Sequence, residues 1–113
     1  MNTTAAETSP DGALRLIRVE HEGTVSVGFD GHGWHVHPDA IAGIYYYPET
    51  MSHAAALERF WRDILSDRLV ISIEDDADGR YVEVVEDPDA VVAEGLQPGQ
   101  RLRYWSGARY LGM

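Results

Sequence analysis

The chain has 113 residues, 44% of them hydrophobic, no cysteine and a formal net charge of −10 at pH 7. This length fits one domain with its own hydrophobic core, and the lack of cysteine excludes disulfides, thiolate zinc sites and a cysteine nucleophile. The negative charge disfavours nucleic acid and anionic membranes as partners, and neither a membrane span nor a signal peptide is indicated, so we expect a cytoplasmic protein.

The N-terminal part is predicted to be a tail followed by a hairpin. Residues 1–12 are polar with little to bury, so we interpret them as a mobile tail and residues 13–113 as a single domain. Residues 14–20 and 24–29 carry alternating apolar side chains on either side of a short connection with Gly23. This pattern predicts a β-hairpin.

Aromatic residues dominate the next segments. Residues 34–37 predict a short third strand, and the apolar, tyrosine-rich run at 41–47 favours another strand because such residues are enriched in sheets. In an alternating strand Tyr46 faces away from its two tyrosine neighbours. Because tyrosine is enriched where proteins meet, we predict that Tyr46 is exposed for binding, with Trp34 and Trp105 as candidates for the same aromatic patch.

The second half is predicted to contain the long helix and the remaining strands. An apolar stripe at helical spacing predicts an amphipathic helix over 50–67, with Thr50 or Ser52 as its N-cap. Further elements are a short helix after Asp87 and strands at 69–74, 81–86 and 101–105. We therefore predict an α+β fold, a twisted antiparallel sheet of about five to seven strands with one long amphipathic helix packed on one face.

Acidic residues are concentrated between positions 74 and 94. This segment holds nine carboxylates and one arginine, Arg80, and so carries −8 of the net charge of −10. Such a surface attracts basic partners. The arginines of 101–105 predict that this last strand lies beside the acidic hairpin. Together with Tyr46, the predicted binding residues are Glu74, Asp75, Asp76, Asp78, Glu83, Glu86 and Asp87.

Histidines form a second candidate site. His35 and His37 are two residues apart on the predicted third strand and therefore point to the same face, and His32 in the preceding turn is placed to join them. Neutral imidazoles bind zinc, nickel and copper ions. The sequence thus offers His35, His37 and His32 as candidate metal ligands.

No catalytic signature is present, so we lean against an enzyme and predict no cofactor. The leading hypothesis is a small acidic bacterial binding protein, of an inhibitor or immunity type, that engages a basic protein partner and binds neither nucleic acid nor membrane. One alternative is a small metal-dependent enzyme or metal-binding protein using His35 and His37. Another is a homo-oligomeric structural domain, for example a homodimer joined through exposed strand edges.

Overall fold

The computed structural model describes residues 2–112 and shows a mixed α+β fold. Its strands are β1 (Asn2–Thr8), β2 (Arg15–His21), β3 (Thr24–Phe29), β4 (His35–Val36), β5 (Val70–Asp76), β6 (Gly79–Val85) and β7 (Gln100–Arg103). The helices are α1 (Pro38–Ile44), α2 (His53–Leu65) and α3 (Pro88–Glu94). The predicted α+β class is confirmed. The predicted single sheet under one long helix is not what the chain forms, because the strands divide into sheets of four and three.

The first sheet is an antiparallel meander in the order β1-β2-β3-β4. The predicted hairpin of β2 and β3 is confirmed, with Leu16 opposite Phe29. Its two turn residues, Glu22 and Gly23, have φ angles of 52° and 80°, as a two-residue turn that follows the strand twist requires. The segment predicted as a tail instead contains β1, which pairs with β2. Backbone hydrogen bonds to β2 stabilise this edge strand, so it needs no buried apolar side chains. Its polar sequence therefore shows no alternation that would predict a strand.

The second sheet has the order β6-β5-β7. β5 and β6 form a tight hairpin, with Asp76 opposite Gly79. β7 pairs with the other edge of β5, and Arg101 makes an ion pair with Asp75 at 2.9 Å. The prediction that the basic last strand lies beside the acidic hairpin is therefore confirmed.

The main core joins both sheets to α2. Helix α2 begins after Ser52, whose side chain accepts a hydrogen bond from the amide of Ala55 at 3.1 Å, as predicted for an N-cap. The residues of α2 buried in this core are Ala56, Leu57, Phe60 and Ile64. A smaller cluster on the opposite face of the second sheet packs against α3 and comprises Val70, Val85, Leu102 and Tyr110. α2 thus stabilises both sheets, and α3 covers only the second.

The predicted strand at 41–47 is wrong, because residues 41–44 belong to α1 and residues 45–47 form the turn that ends it. Pro38 stands in the first turn of α1, where its fixed φ favours a helix. Ile41 and Tyr45, one helical turn apart, are both buried. The helix ends in a Schellman motif, in which the amide of Tyr47 donates to the carbonyl oxygen of Ala42 at 2.9 Å. Helical spacing therefore prevails over the strand preference of the tyrosines.

Candidate functional site

Two cavities meet at Trp34 and His35. The first, of about 630 Å³, lies on the outer face of the first sheet, and we call it the histidine cavity because four histidines line it. The second, of about 370 Å³, lies between β6, α3 and α1, and we call it the acidic cavity. Trp34 and His35 line both cavities and so form a ridge between them. Gly28 permits this arrangement, because a Cβ atom there would lie 2.6 Å from the carbonyl oxygen of Trp34.

Carboxylates and aromatic residues line the acidic cavity together. The carboxylates are Glu83, Glu86, Asp87 and Glu94. Trp34 and Tyr45 also line it, and the Tyr45 hydroxyl donates to the carbonyl oxygen of Val84 at 3.0 Å, which fixes the ring against β6. The cavity thus combines negative charge with aromatic side chains.

Glu83, which lines the acidic cavity, has a raised pKa. Burial raises its pKa, and the nearby charges of Glu74 and Glu86 raise it further, while a hydrogen bond with Tyr81 acts in the opposite direction. Ionisation of Glu83 is therefore less favourable than that of a free glutamate side chain. A positive charge placed beside Glu83 would stabilise its ionised form.

Part of the predicted acidic surface serves the fold. Asp75 makes ion pairs with Arg80 at 2.7 Å and with Arg101 at 2.9 Å, and their hydrogen bonds lower its pKa to about 2. Asp76 accepts a hydrogen bond from the amide of Asp78 within the β5–β6 turn. Asp75 and Asp76 are thus engaged within the chain.

Asp87 has a structural role as well as a place in the cavity wall. Its side chain caps α3 by accepting from the amide of Ala90 at 3.1 Å, as the predicted start of this helix requires. Asp87 and Glu94 are two helical turns apart and lie on the same face of α3. Glu94 was absent from the predicted binding residues, although this seven-residue spacing in the sequence was a signal for it. Among residues 2–112, Glu83, Glu86 and Glu94 make no ion pair with an arginine.

Tyr46 is exposed, as predicted, but not because it lies in a strand. It occupies the left-handed position of the Schellman motif with φ of 61°, and 73% of its surface is exposed. Glycine is favoured at this position, since a side chain there is strained. The predicted patch with Trp105 does not form, because Trp105 is 5% exposed and belongs to the core. Tyr46 follows Ile44 and Tyr45, which both line the acidic cavity.

The Tyr46→Gly variant is expected to be more stable than the Tyr46→Ala variant by about 1 kcal/mol, because only glycine adopts this backbone conformation without strain. Urea denaturation of the two variants measures the difference. Equal stability of the two variants would show that the left-handed position carries no strain.

Two of the three predicted metal ligands lie together. The Nδ1 atom of His35 is 3.0 Å from the carbonyl oxygen of Gly33, and that of His37 is 2.8 Å from the carbonyl oxygen of Val25. The two ring centroids are 5.1 Å apart. His32 turns to the β5–β6 hairpin, with its Nδ1 atom 3.3 Å from the carbonyl oxygen of Arg80.

Comparisons with known proteins add no family: no protein-family model, curated protein or solved structure matches this chain. Among the helices in residues 2–112, none is both long and apolar enough to cross a bilayer.

Proposed function

We propose that this chain is a binding protein that holds a basic segment of another protein in the acidic cavity. The observation that carries the proposal is the placement of Glu83, Glu86 and Glu94 around one cavity without arginine partners among residues 2–112. A guanidinium or ammonium group gains charge-assisted hydrogen bonds with such carboxylates. Trp34 also lines this cavity, and an indole ring attracts the same cations.

The charge of the whole chain supports the same kind of partner. A net charge of −10 attracts a basic protein over distance and accelerates association at low salt. Tight binding also needs buried contacts at the centre of the interface. Two aromatic groups suit that purpose: the indole of Trp34, which lines the acidic cavity, and the exposed ring of Tyr46, which follows the cavity-lining Tyr45 in the chain.

The more specific form of the proposal is an inhibitor or immunity-type protein. Such a protein blocks a basic, nuclease-like toxin by covering the cationic surface that binds nucleic acid. The argument for this form is analogy in size and charge, and it depends on the general proposal of a basic partner.

Neutralising the acidic cavity is expected to weaken binding of a basic peptide about tenfold, or about 1.4 kcal/mol, because direct hydrogen bonds to the cations are lost. The variant is Glu83→Gln with Glu86→Gln and Glu94→Gln, and the probe is fluorescein-labelled octa-arginine at physiological salt. Fluorescence anisotropy measures the dissociation constant.

The matched control removes the same three charges from exposed positions outside the cavity, as Glu7→Gln with Glu20→Gln and Glu49→Gln. This variant should lose no more than about threefold in affinity, because it changes only the long-range field. If both triple variants lose the same affinity, octa-arginine binding depends on net charge alone, and the acidic cavity is not the binding site.

A further inference from the structure

We propose that His35 and His37 bind one divalent transition-metal ion, Zn²⁺, Ni²⁺ or Cu²⁺, and that a second copy of the chain completes its coordination. The proposal rests on the geometry of the ridge and of the outer face of the first sheet. It does not depend on a basic partner for the acidic cavity.

Backbone carbonyl groups fix the orientation of both imidazole rings. A carbonyl oxygen only accepts hydrogen bonds, so the Nδ1 atoms facing Gly33 and Val25 carry the protons of the neutral rings. The lone pair is then on Nε2 in both His35 and His37. Metal-binding histidines commonly donate their other ring nitrogen to a carbonyl in this way, which fixes the tautomer and the ring position.

The separation of the rings fits one ion. With Zn–N distances of about 2.0–2.1 Å and tetrahedral angles, two imidazoles on one ion place their ring centroids about 5 Å apart. The centroids of His35 and His37 are 5.1 Å apart. The separation of the two rings therefore matches that of two imidazoles bound to one ion.

One chain supplies too few ligands. Within residues 2–112, no three His, Cys, Asp or Glu side chains are grouped so that they could hold a metal ion. Two imidazoles leave two positions of a four-coordinate ion open. A two-fold contact between copies brings the same pair of histidines from each chain, which gives four imidazole ligands.

The surface around the pair suits contact with a second copy. His35 is exposed on the ridge, where another molecule can reach it. Ile17, Val19 and Trp34 are partly exposed in the wall of the histidine cavity, so a two-fold contact there buries apolar surface. Few charges of the −10 chain lie in this wall, which contains the carboxylates of Glu22 and Asp30. The neighbouring acidic cavity raises the local concentration of cations.

Titration of untagged protein with Zn²⁺ at pH 7.5 tests the proposal. We expect one ion bound per two chains by calorimetry and a doubled mass in sedimentation, reversed by a chelator. His35→Gln and His37→Gln should each weaken binding at least tenfold and keep the protein monomeric. With Cu²⁺, electron paramagnetic resonance should show nitrogen ligands that are lost in both variants.

The control is His53→Gln, which lies outside both cavities. It should bind Zn²⁺ and dimerise as the parent chain does. Thermal unfolding in chelator confirms that the three variants are folded. Failure to bind Zn²⁺ at micromolar concentration overturns the proposal, as does an equal loss in the control. One ion per monomeric chain overturns the shared site.

Discussion

The Asp11→Ala variant is expected to unfold with a free energy about 2–3 kcal/mol below that of the parent chain. Asp11 accepts two hydrogen bonds from the guanidinium of Arg103, at 2.6 and 3.2 Å. Arg103 is 8% exposed, so the substitution leaves a buried positive charge without its counter-ion. Because Asp11 itself is partly exposed, we place the loss below the usual range for a fully buried pair. Chemical denaturation at pH 7 measures it.

The Asp30→Ala variant is the matched control. Asp30 pairs with Arg15 at 2.8 Å, but about half of each side chain is exposed, at 50% and 51%. Removing this pair should change the free energy of unfolding by less than about 1 kcal/mol. If both variants lose the same stability, the burial of Arg103 does not decide the strength of its pair.

The same pair gives a pH dependence with a definite sign. Hydrogen bonds from Arg103 and from the Ser9 hydroxyl hold the pKa of Asp11 well below its usual range in the folded chain. The unfolded chain therefore takes up this proton first, as the pH falls below about 4. The contribution of the pair is present above that pH and is lost below it. The stability difference between the parent chain and Asp11→Ala should therefore shrink on acidification.

The Phe60→Ala variant is expected to lose about 4 kcal/mol of stability, which is the largest single effect we predict. Phe60 is fully buried in the main core, and its ring centroid is 4.6 Å from that of Tyr45. Alanine leaves a cavity that the surrounding strands fill only in part. Denaturation by urea, followed by circular dichroism, measures the loss.

Trp61→Ala provides the comparison on the same helix. Trp61 lies at the edge of the core and is only partly buried, so its loss should be smaller than that of Phe60 although the side chain is larger. Phe60→Ala should also weaken binding in the acidic cavity, because Tyr45 loses the ring that supports it. If binding is unchanged while stability falls, the position of Tyr45 does not depend on Phe60.

Much of the fold was predictable because local signals agreed with long-range packing. The β2–β3 hairpin, the capped helix α2 and the short helix after Asp87 all follow from residue spacing and turn residues. β1 was missed because an edge strand needs no apolar face. α1 was missed because its tyrosines favour strands, whereas Pro38 and the burial of Ile41 and Tyr45 favour a helix. The split into two sheets depends on contacts between distant residues, which spacing does not reveal.

The candidate site was predictable only in its parts. The two-residue spacing of His35 and His37 correctly indicated a shared position, and Tyr46 is exposed as predicted. The acidic cavity was not predictable, because β6, α3, α1 and the ridge are separate in sequence and are brought together by the fold. The charge pattern predicted that the arginines of the last strand lie beside the acidic hairpin, but it did not identify Asp75 as the carboxylate that pairs with both Arg80 and Arg101.

The strand order has a consequence for how the molecule folds. Every ladder of the first sheet joins strands that follow each other in the chain, so this sheet forms from local contacts. The second sheet is complete only after β7 has been synthesised and has paired with β5. The ion pair of Asp11 and Arg103 likewise joins residues 92 positions apart. During synthesis from the N-terminus, we expect the meander to form first. The acidic cavity is complete only when β6 and α3 are in place. The proposed partner can therefore bind there only after most of the chain has folded.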